Sequence, residues 1–149
     1  MAEVRFYHLQ HQTQAQVLCV ILTKALDKGH RIVVKMCNDD EVAQMNDYLW
    51  SFSSDSFLPH GCAKDGNAEV QPIWITAGDD NPNSADVLIL CQGALSNKQG
   101  DFDLCCEMLD GHDPQAISDA RGRWKEYKKQ AFDVTYWQQS QSGGWEKKA

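Results

Sequence analysis

Long apolar runs are absent from this sequence. No segment of the 149 residues approaches the roughly 20 consecutive apolar residues that a membrane helix needs. The chain also lacks a basic start followed by an apolar block, the pattern of a secretory leader. We therefore expect a soluble, cytoplasmic protein.

Glycine-rich phosphate loops are absent as well. The segment after the first predicted strand is Gln10–Thr13 (QHQT), which has no glycine, and neither GxGxxG nor GxxxxGK[ST] occurs anywhere. A nucleotide-binding α/β protein needs such a loop at the carboxyl end of a strand. No GxSxG elbow is present, and no cysteine has a histidine and a carboxylate placed to activate it. An enzymatic function is therefore not favoured, and we expect no cofactor.

Metal-binding patterns are equally sparse. His8 and His11 have a spacing that could hold a metal on a helical turn, but no third ligand is evident. Asp79 and Asp80 lie in a turn-rich loop without the regular acidic spacing of a calcium site. The six cysteines form no CxxC pair and mostly fall in apolar segments, so we expect reduced, buried thiols and no metal.

The composition indicates one domain. A chain of 149 residues with 42% hydrophobic residues can bury an ordinary core. Its net charge of −7 argues against a surface devoted to nucleic acid, since affinity for phosphates comes mainly from cations. Any contact with nucleic acid must be local or indirect.

Alternating strand and helix patterns run along the chain. The predicted strands are residues 4–9, 31–37, 73–76 and 86–90. Residues 102–108 fit either a fifth strand or a helical turn, and we predict the strand. Capping-box spacing at Thr13 and Gln16 begins a first helix that ends before Gly29, and Asn38 with Glu41 begins a second. This order predicts an α/β fold, with a mostly parallel open sheet of about five strands flanked by helices.

A last helix is predicted to begin at Asp113, with Pro114 at its first position, and to run to about Ala131. Beyond Trp137 the sequence is polar and contains glycine. We therefore expect one domain over residues 1–137, followed by a polar, flexible tail over residues 138–149.

The last helix has a sorted surface. At 100° per residue one stripe faces the sheet, consisting of Ile117, Ala120, Trp124, Tyr127 and Ala131. Arg121, Lys125 and Lys128 lie together on its flank. Cations near the end of a helix also complement its dipole. Beside aromatic side chains, however, they suit an acidic peptide with an apolar end.

A second feature is the segment LWSFSSDSFLPH, residues 49–60. Trp50 lies about 80° from the apolar stripe of the second helix, so it is not expected to point into the same core. Phe57, Leu58 and Pro59 follow in an otherwise polar loop. This cluster predicts either a protein contact or a cover that folds back over the core.

Three blocks resemble the chi subunit of the bacterial DNA polymerase III holoenzyme, an accessory protein of the clamp-loader complex. They are FYHL in the first strand, DYLWSFSSDSFLPHG, and RGRWKEYKKQAF near the carboxyl end. The resemblance extends from Arg5 to about Trp137. It implies a Rossmann-like domain that binds no nucleotide, has no catalytic activity, and binds the acidic, phenylalanine-ending tail of single-stranded DNA-binding protein.

By this resemblance the tail would dock on the last helix, so that single-stranded DNA is contacted indirectly. Arg121 and Lys125 would be its counter-charges, and Trp124, where the family often has tyrosine, would wall the slot. The weaker candidates are Arg123, Lys128 and Phe132, and the helical wheel places Arg123 on the opposite flank. A second surface would bind the psi subunit, where the host has one, through Trp50, Phe57, Leu58 and Pro59.

One departure from the family bears on the site, because Ile117 stands where some relatives have a lysine. Two alternatives remain. Arg121, Trp124, Lys125 and Tyr127 offer the cations and stacking faces of a weak, direct binder of single-stranded nucleic acid. A small phosphate- or nucleotide-using α/β enzyme would need the loop that QHQT replaces.

Overall fold

In the part of the chain that the structure describes, the fold is one eight-stranded sheet with three α-helices. The computed structural model describes residues 2–51, 59–142 and 144–149. The strands are β1 (Glu3–Leu9), β2 (Ile32–Lys35), β3 (His60–Cys62), β4 (Ile73–Thr76), β5 (Val87–Leu90), β6 (Leu104–Asp110), β7 (Asp133–Gln139) and β8 (Trp145–Lys147). The helices are α1 (Gln14–Asp27), α2 (Asp39–Ser51) and α3 (Pro114–Lys129). Across the described ranges, no helix combines the length and apolar character needed to cross a membrane.

The strand order is β3-β4-β2-β5-β6-β1-β7-β8, and every pair is parallel except β7 with β8. The short apolar strands β2 and β5 are buried along their whole length, as expected where helices cover both faces of a parallel sheet. The predicted Rossmann-like α/β class and mostly parallel sheet are therefore confirmed.

Alternation along β1 divides the core into two layers. Val4 and Phe6 pack toward α3, whereas Tyr7 packs toward α1. Successive side chains of a strand point to opposite faces of the sheet, so β1 contributes to both layers. The α3 layer holds the predicted tail site.

The predicted helix starts are confirmed by their caps. Thr13 accepts from the Gln16 backbone N–H, and the Gln16 side chain accepts from the Thr13 N–H, which completes the capping box. The Asn38 side chain accepts from the Glu41 N–H, and the Asp113 side chain accepts from the Gln115 N–H at the start of α3.

The prediction of about five strands was too low, because β3, β7 and β8 were missed. The strand β3 is only three residues, HGC, and lies at one edge of the sheet. The strand β7 reads DVTYWQQ, in which polar residues interrupt the apolar pattern. Part of the segment expected to be a flexible tail forms β8, which pairs antiparallel with the end of β7.

Candidate functional site

Helix α3 carries the predicted tail site, and its inner side is anchored on β1. Ala120 and Tyr127 are buried, and Ile117 and Trp124 are half-buried against the same layer. The predicted stripe was wrong at Ala131. The helix ends at Lys129, and Ala131 is exposed with φ 65°, so the helical period no longer applies there.

Trp124 forms one wall of the surface. Its ring centroid lies 5.9 Å from that of Phe6 and 6.2 Å from that of Tyr136 on β7. The Lys128 Nζ lies 5.1 Å from the Trp124 ring centroid, within cation–π range. Phe6 and Tyr136 therefore hold the indole, and the Lys128 ammonium lies over its ring.

The basic flank of α3 consists of Arg121, Lys125 and Lys128, which are all exposed. Within the described ranges none of the three forms an ion pair with a carboxylate. Burial raises the pKa of the Tyr136 hydroxyl, and the positive charge of Arg121 opposes that shift. Arg121 and Trp124 are three residues apart on α3, so they are neighbours on the helix surface.

Arg123 lies on the other flank and has a partner there. Its Nε is 2.6 Å from Oε1 of Glu107, whose side chain on β6 is only 3% exposed. The Tyr127 hydroxyl donates to the other Glu107 carboxylate oxygen and accepts from the Gln99 side-chain amide at 2.8 Å. Burial and the Glu107 charge raise the pKa of Tyr127 well above its usual range. Arg123 is therefore the counter-charge of a buried carboxylate.

Phe132 lies where the chain leaves α3 for β7. It is half-buried, and its ring packs edge-on against Tyr127 with centroids 5.6 Å apart. Its backbone N–H donates to the Tyr127 carbonyl at 3.1 Å. The structure thus places Phe132 just after the end of α3, against Tyr127.

Two residues of this region were missed by the sequence analysis. Tyr136 stacks on Phe6 at 5.9 Å, and its hydroxyl is 2.7 Å from Nδ1 of His8, whose pKa is lowered by burial. No strand was predicted at Tyr136, so the sequence did not indicate on which face of the sheet its side chain lies. Glu107 could have been found, since a carboxylate inside an apolar strand requires a partner.

The second predicted surface is only partly described. Trp50 on α2 is 54% exposed, as its position off the apolar stripe indicated, and its ring centroid lies 4.7 Å from that of His60. Pro59 is half-buried directly before β3. Phe57 and Leu58 lie outside the described residues.

Among the described residues no group of three histidine, cysteine or acidic side chains could hold a metal ion. The loop after β4 engages its carboxylates elsewhere. Asp79 accepts from Lys35 Nζ at 2.6 Å, and Asp80 accepts from the Trp74 indole at 2.8 Å. These contacts fix the loop to the end of β2 and to β4.

Similarity to known proteins agrees with the family resemblance. A family model described as DNA polymerase III chi subunit, HolC, matches residues 1–135. A probable DNA polymerase III subunit chi of Rickettsia prowazekii is 28% identical over 90 residues, which are 60% of this chain and 54% of that relative. The aligned region thus spans about half the length of that relative.

Two further relatives match over nearly their whole length. The DNA polymerase III subunit chi of Pseudomonas aeruginosa is 24% identical over 137 residues, 90% of this chain and 94% of the relative. The protein of the same name from Escherichia coli K12 is 22% identical over 142 residues, 90% of this chain and 96% of the relative.

Proposed function

Since the chain belongs to the DNA polymerase III chi subunit family, we propose that it is a non-catalytic accessory subunit of the replicative polymerase in the cytoplasm. In this role it binds the acidic C-terminal tail of single-stranded DNA-binding protein and links that protein to the clamp-loader complex. Its association with single-stranded DNA is then indirect.

The observation that carries this proposal is the pairing of unengaged cations with a fixed aromatic wall on α3. Arg121 and Lys125 are exposed and form no ion pair within the described ranges, and Trp124 is held by Phe6 and Tyr136. Carboxylates of the tail would accept charge-assisted hydrogen bonds from the cations. The terminal phenylalanine would pack against Trp124, with Phe132 further along.

The remaining predicted residues contribute unequally. The Lys128 ammonium lies over the Trp124 ring. From this position it can contact a carboxylate of the tail while its side chain covers one face of the indole. Arg123 is the weakest candidate, because its guanidinium is bonded to Glu107 on the opposite flank. The half-buried Ile117 supplies apolar surface and no charge.

We assign the contact with a psi subunit, where the host has one, to the α2 surface. Trp50 is exposed there and Pro59 lies beside the neighbouring strand, and the assignment extends to Phe57 and Leu58 by resemblance. Exposed aromatic residues are frequent anchors of protein contacts.

The test is a fluorescence anisotropy titration with a labelled acidic peptide ending in Asp-Ile-Pro-Phe. We expect a dissociation constant of about 1 μM, corresponding to about −8 kcal/mol. The double variant Arg121→Glu, Lys125→Glu should bind at least about tenfold more weakly, since two attractive contacts become repulsive.

The matched control is Lys64→Glu, Lys98→Glu, which changes the net charge equally at exposed lysines that are not part of α3. It should retain binding, and a peptide without the final phenylalanine should bind poorly to every variant. No binding by the folded protein at several hundred micromolar would contradict the proposal. Tighter binding of an oligothymidylate than of the peptide would favour direct recognition of single-stranded nucleic acid.

A further inference from the structure

A groove of about 660 Å³ opens between α1 and β8, on the face of the sheet opposite α3. Its floor is formed by Tyr7 of β1 and by Leu104 and Cys106 of β6. Trp145 of β8 forms the far wall, and its ring packs edge-on against Tyr7 with centroids 5.0 Å apart. The volume is within the range of ligand-binding clefts.

The wall contributed by α1 includes a patch of aliphatic side chains. Val20, Ile21 and Ala25 line it, and Val20 is 45% exposed. Val20 is half-exposed, and Trp145 lines the other side of the groove. An apolar side chain of a partner would cover such a surface. The groove therefore offers a slot with aliphatic residues on one side and an aromatic ring on the other.

The charges around the groove have one sign. Its basic lining residues are Arg5, Lys24, Lys28 and His30, and no acidic residue lines it in the described part of the chain. Two nearby carboxylates are paired with lining residues: Glu3 lies 2.6 Å from Arg5, and Asp86 lies 2.6 Å from His30. Basic side chains therefore line this groove in a protein of net charge −7.

Lysines near the end of a helix complement its dipole, and Lys24 and Lys28 are at the end of α1. The dipole does not account for the basic residues that reach the same groove from outside the helix. Arg5 comes from β1, and His30 comes from the turn before β2. Because Arg5 and His30 are each paired with a carboxylate, Lys24 and Lys28 are the lining cations that form no ion pair within the described residues.

We propose that this groove binds an acidic peptide segment of a partner protein. A bulky apolar side chain of the segment fills the slot between Val20 and Trp145, and flanking carboxylates contact Lys24 and Lys28. The site is separate from the α3 surface because the two lie on opposite faces of the sheet. The proposal does not rest on the tail-binding function.

A peptide fits this groove better than a nucleic acid does. Single-stranded nucleic acid binds on aromatic rings that present their flat faces to successive bases. Here Tyr7 and Trp145 meet at an interplanar angle of 73°, so each ring uses part of its surface on the other. The aliphatic part of the lining, which includes Val20, Ile21 and Ala25, suits a leucine or phenylalanine side chain.

The experiment is a selection of random twelve-residue peptides displayed on phage, performed on the Arg121→Glu, Lys125→Glu variant to remove the α3 surface. We expect recovered peptides in which aspartate and glutamate flank an aromatic or leucine residue. Synthetic versions should lose at least about tenfold in affinity for a variant that also carries Lys24→Glu and Lys28→Glu.

Two further variants locate the binding. Adding Lys64→Glu and Lys98→Glu instead, with the same change in net charge, should alter affinity less than about twofold. Val20→Ser should weaken binding several-fold, and because Val20 is half-exposed the fold should tolerate it.

The proposal is overturned if the selected peptides show no acidic bias, or if their affinity is unchanged by the Lys24 and Lys28 substitutions. It is also overturned if an oligothymidylate displaces the selected peptides and loses affinity in the same lysine variant, which would make the groove a nucleic-acid site. None of these results affects the α3 test, since that test uses a different surface and a defined peptide.

Discussion

Arg121 and Arg123 are two residues apart on α3 and have opposite surroundings. Arg121 is exposed beside Trp124, whereas Arg123 is bonded to a carboxylate with a 3% exposed side chain. Removing one partner of a buried ion pair leaves an uncompensated charge in the core. The two arginines therefore have separable roles, one in binding and one in stability.

We expect Arg123→Ala to lower the free energy of unfolding by about 3 kcal/mol, because Glu107 loses its counter-charge. Arg121→Ala should change it by less than about 0.5 kcal/mol, as is usual at exposed positions, while weakening peptide binding. Urea denaturation followed by circular dichroism measures the first effect, and anisotropy measures the second.

The double variant Arg123→Ala, Glu107→Gln is the internal control. It should recover part of the lost stability, since no buried charge remains unpaired. Equal destabilisation by the two single arginine variants would show that the Glu107 contact does not have the assigned role.

At the scale of elements, β8 connects the carboxyl end of the chain to the sheet. It is three residues long and exposed along most of its length, and it pairs with the last residues of β7. Its main side-chain contact is Trp145 on Tyr7. So short an edge strand depends on this packing as well as on its backbone hydrogen bonds.

We expect Trp145→Ala to reduce the free energy of unfolding by about 1–2 kcal/mol, less than the 3–5 kcal/mol typical of a fully buried tryptophan, because the ring is half-buried. Trp145→Phe keeps an aromatic ring on Tyr7 and should lose much less. Chemical denaturation of the three proteins gives the comparison, and an effect of Trp145→Ala within 0.3 kcal/mol of zero would mean that β8 adds nothing to stability.

At the scale of the whole molecule, charge is distributed unevenly over an acidic protein. Two basic surfaces lie on opposite faces of the sheet, one on the flank of α3 and one around the α1 groove. The rest of this acidic protein repels an acidic segment, so such a segment can approach most readily at these two basic surfaces.

The buried thiols are a second feature of the whole molecule, because five of the six cysteines are buried.

Alkaline pH should destabilise the fold through those thiols. Burial raises the pKa of Cys19 to about 11 and that of Cys106 to about 12, from an ordinary value of 9.0. The unfolded chain then loses these protons before the folded chain does, so stability is full below pH 9 and falls as pH rises toward 11 and 12.

The measurement is urea denaturation between pH 7.5 and 10.5 in the presence of a reductant. Each buried thiol can contribute a slope of up to about 1.4 kcal/mol per pH unit. Cys106→Ala should therefore show a shallower decline than the wild type, and Cys37→Ala, at an exposed thiol, should change the slope much less. A flat profile from pH 8 to pH 10.5 would rule out this effect.

The order of elements was predictable because its signals are local. Capping residues such as Thr13 and Asp113, the apolar strands β2 and β5, and the sorted faces of α3 all depend on neighbours within a few residues. The same local reading failed at β3, β7 and β8, which are short or polar and are stabilised by pairing with strands distant in sequence.

The sequence by itself determined the α/β class, the absence of a phosphate loop and the basic flank of α3. Only the tertiary structure decided what that flank lies beside. Pairing β1 with both β6 and β7 brings Phe6, Glu107 and Tyr136 under α3, although they are up to 130 residues apart. The further pairing of β8 with β7 sets Trp145 against Tyr7 and forms the groove. Strand order depends on which distant segments pair with each other, and the periodicity of a short stretch of sequence does not encode it.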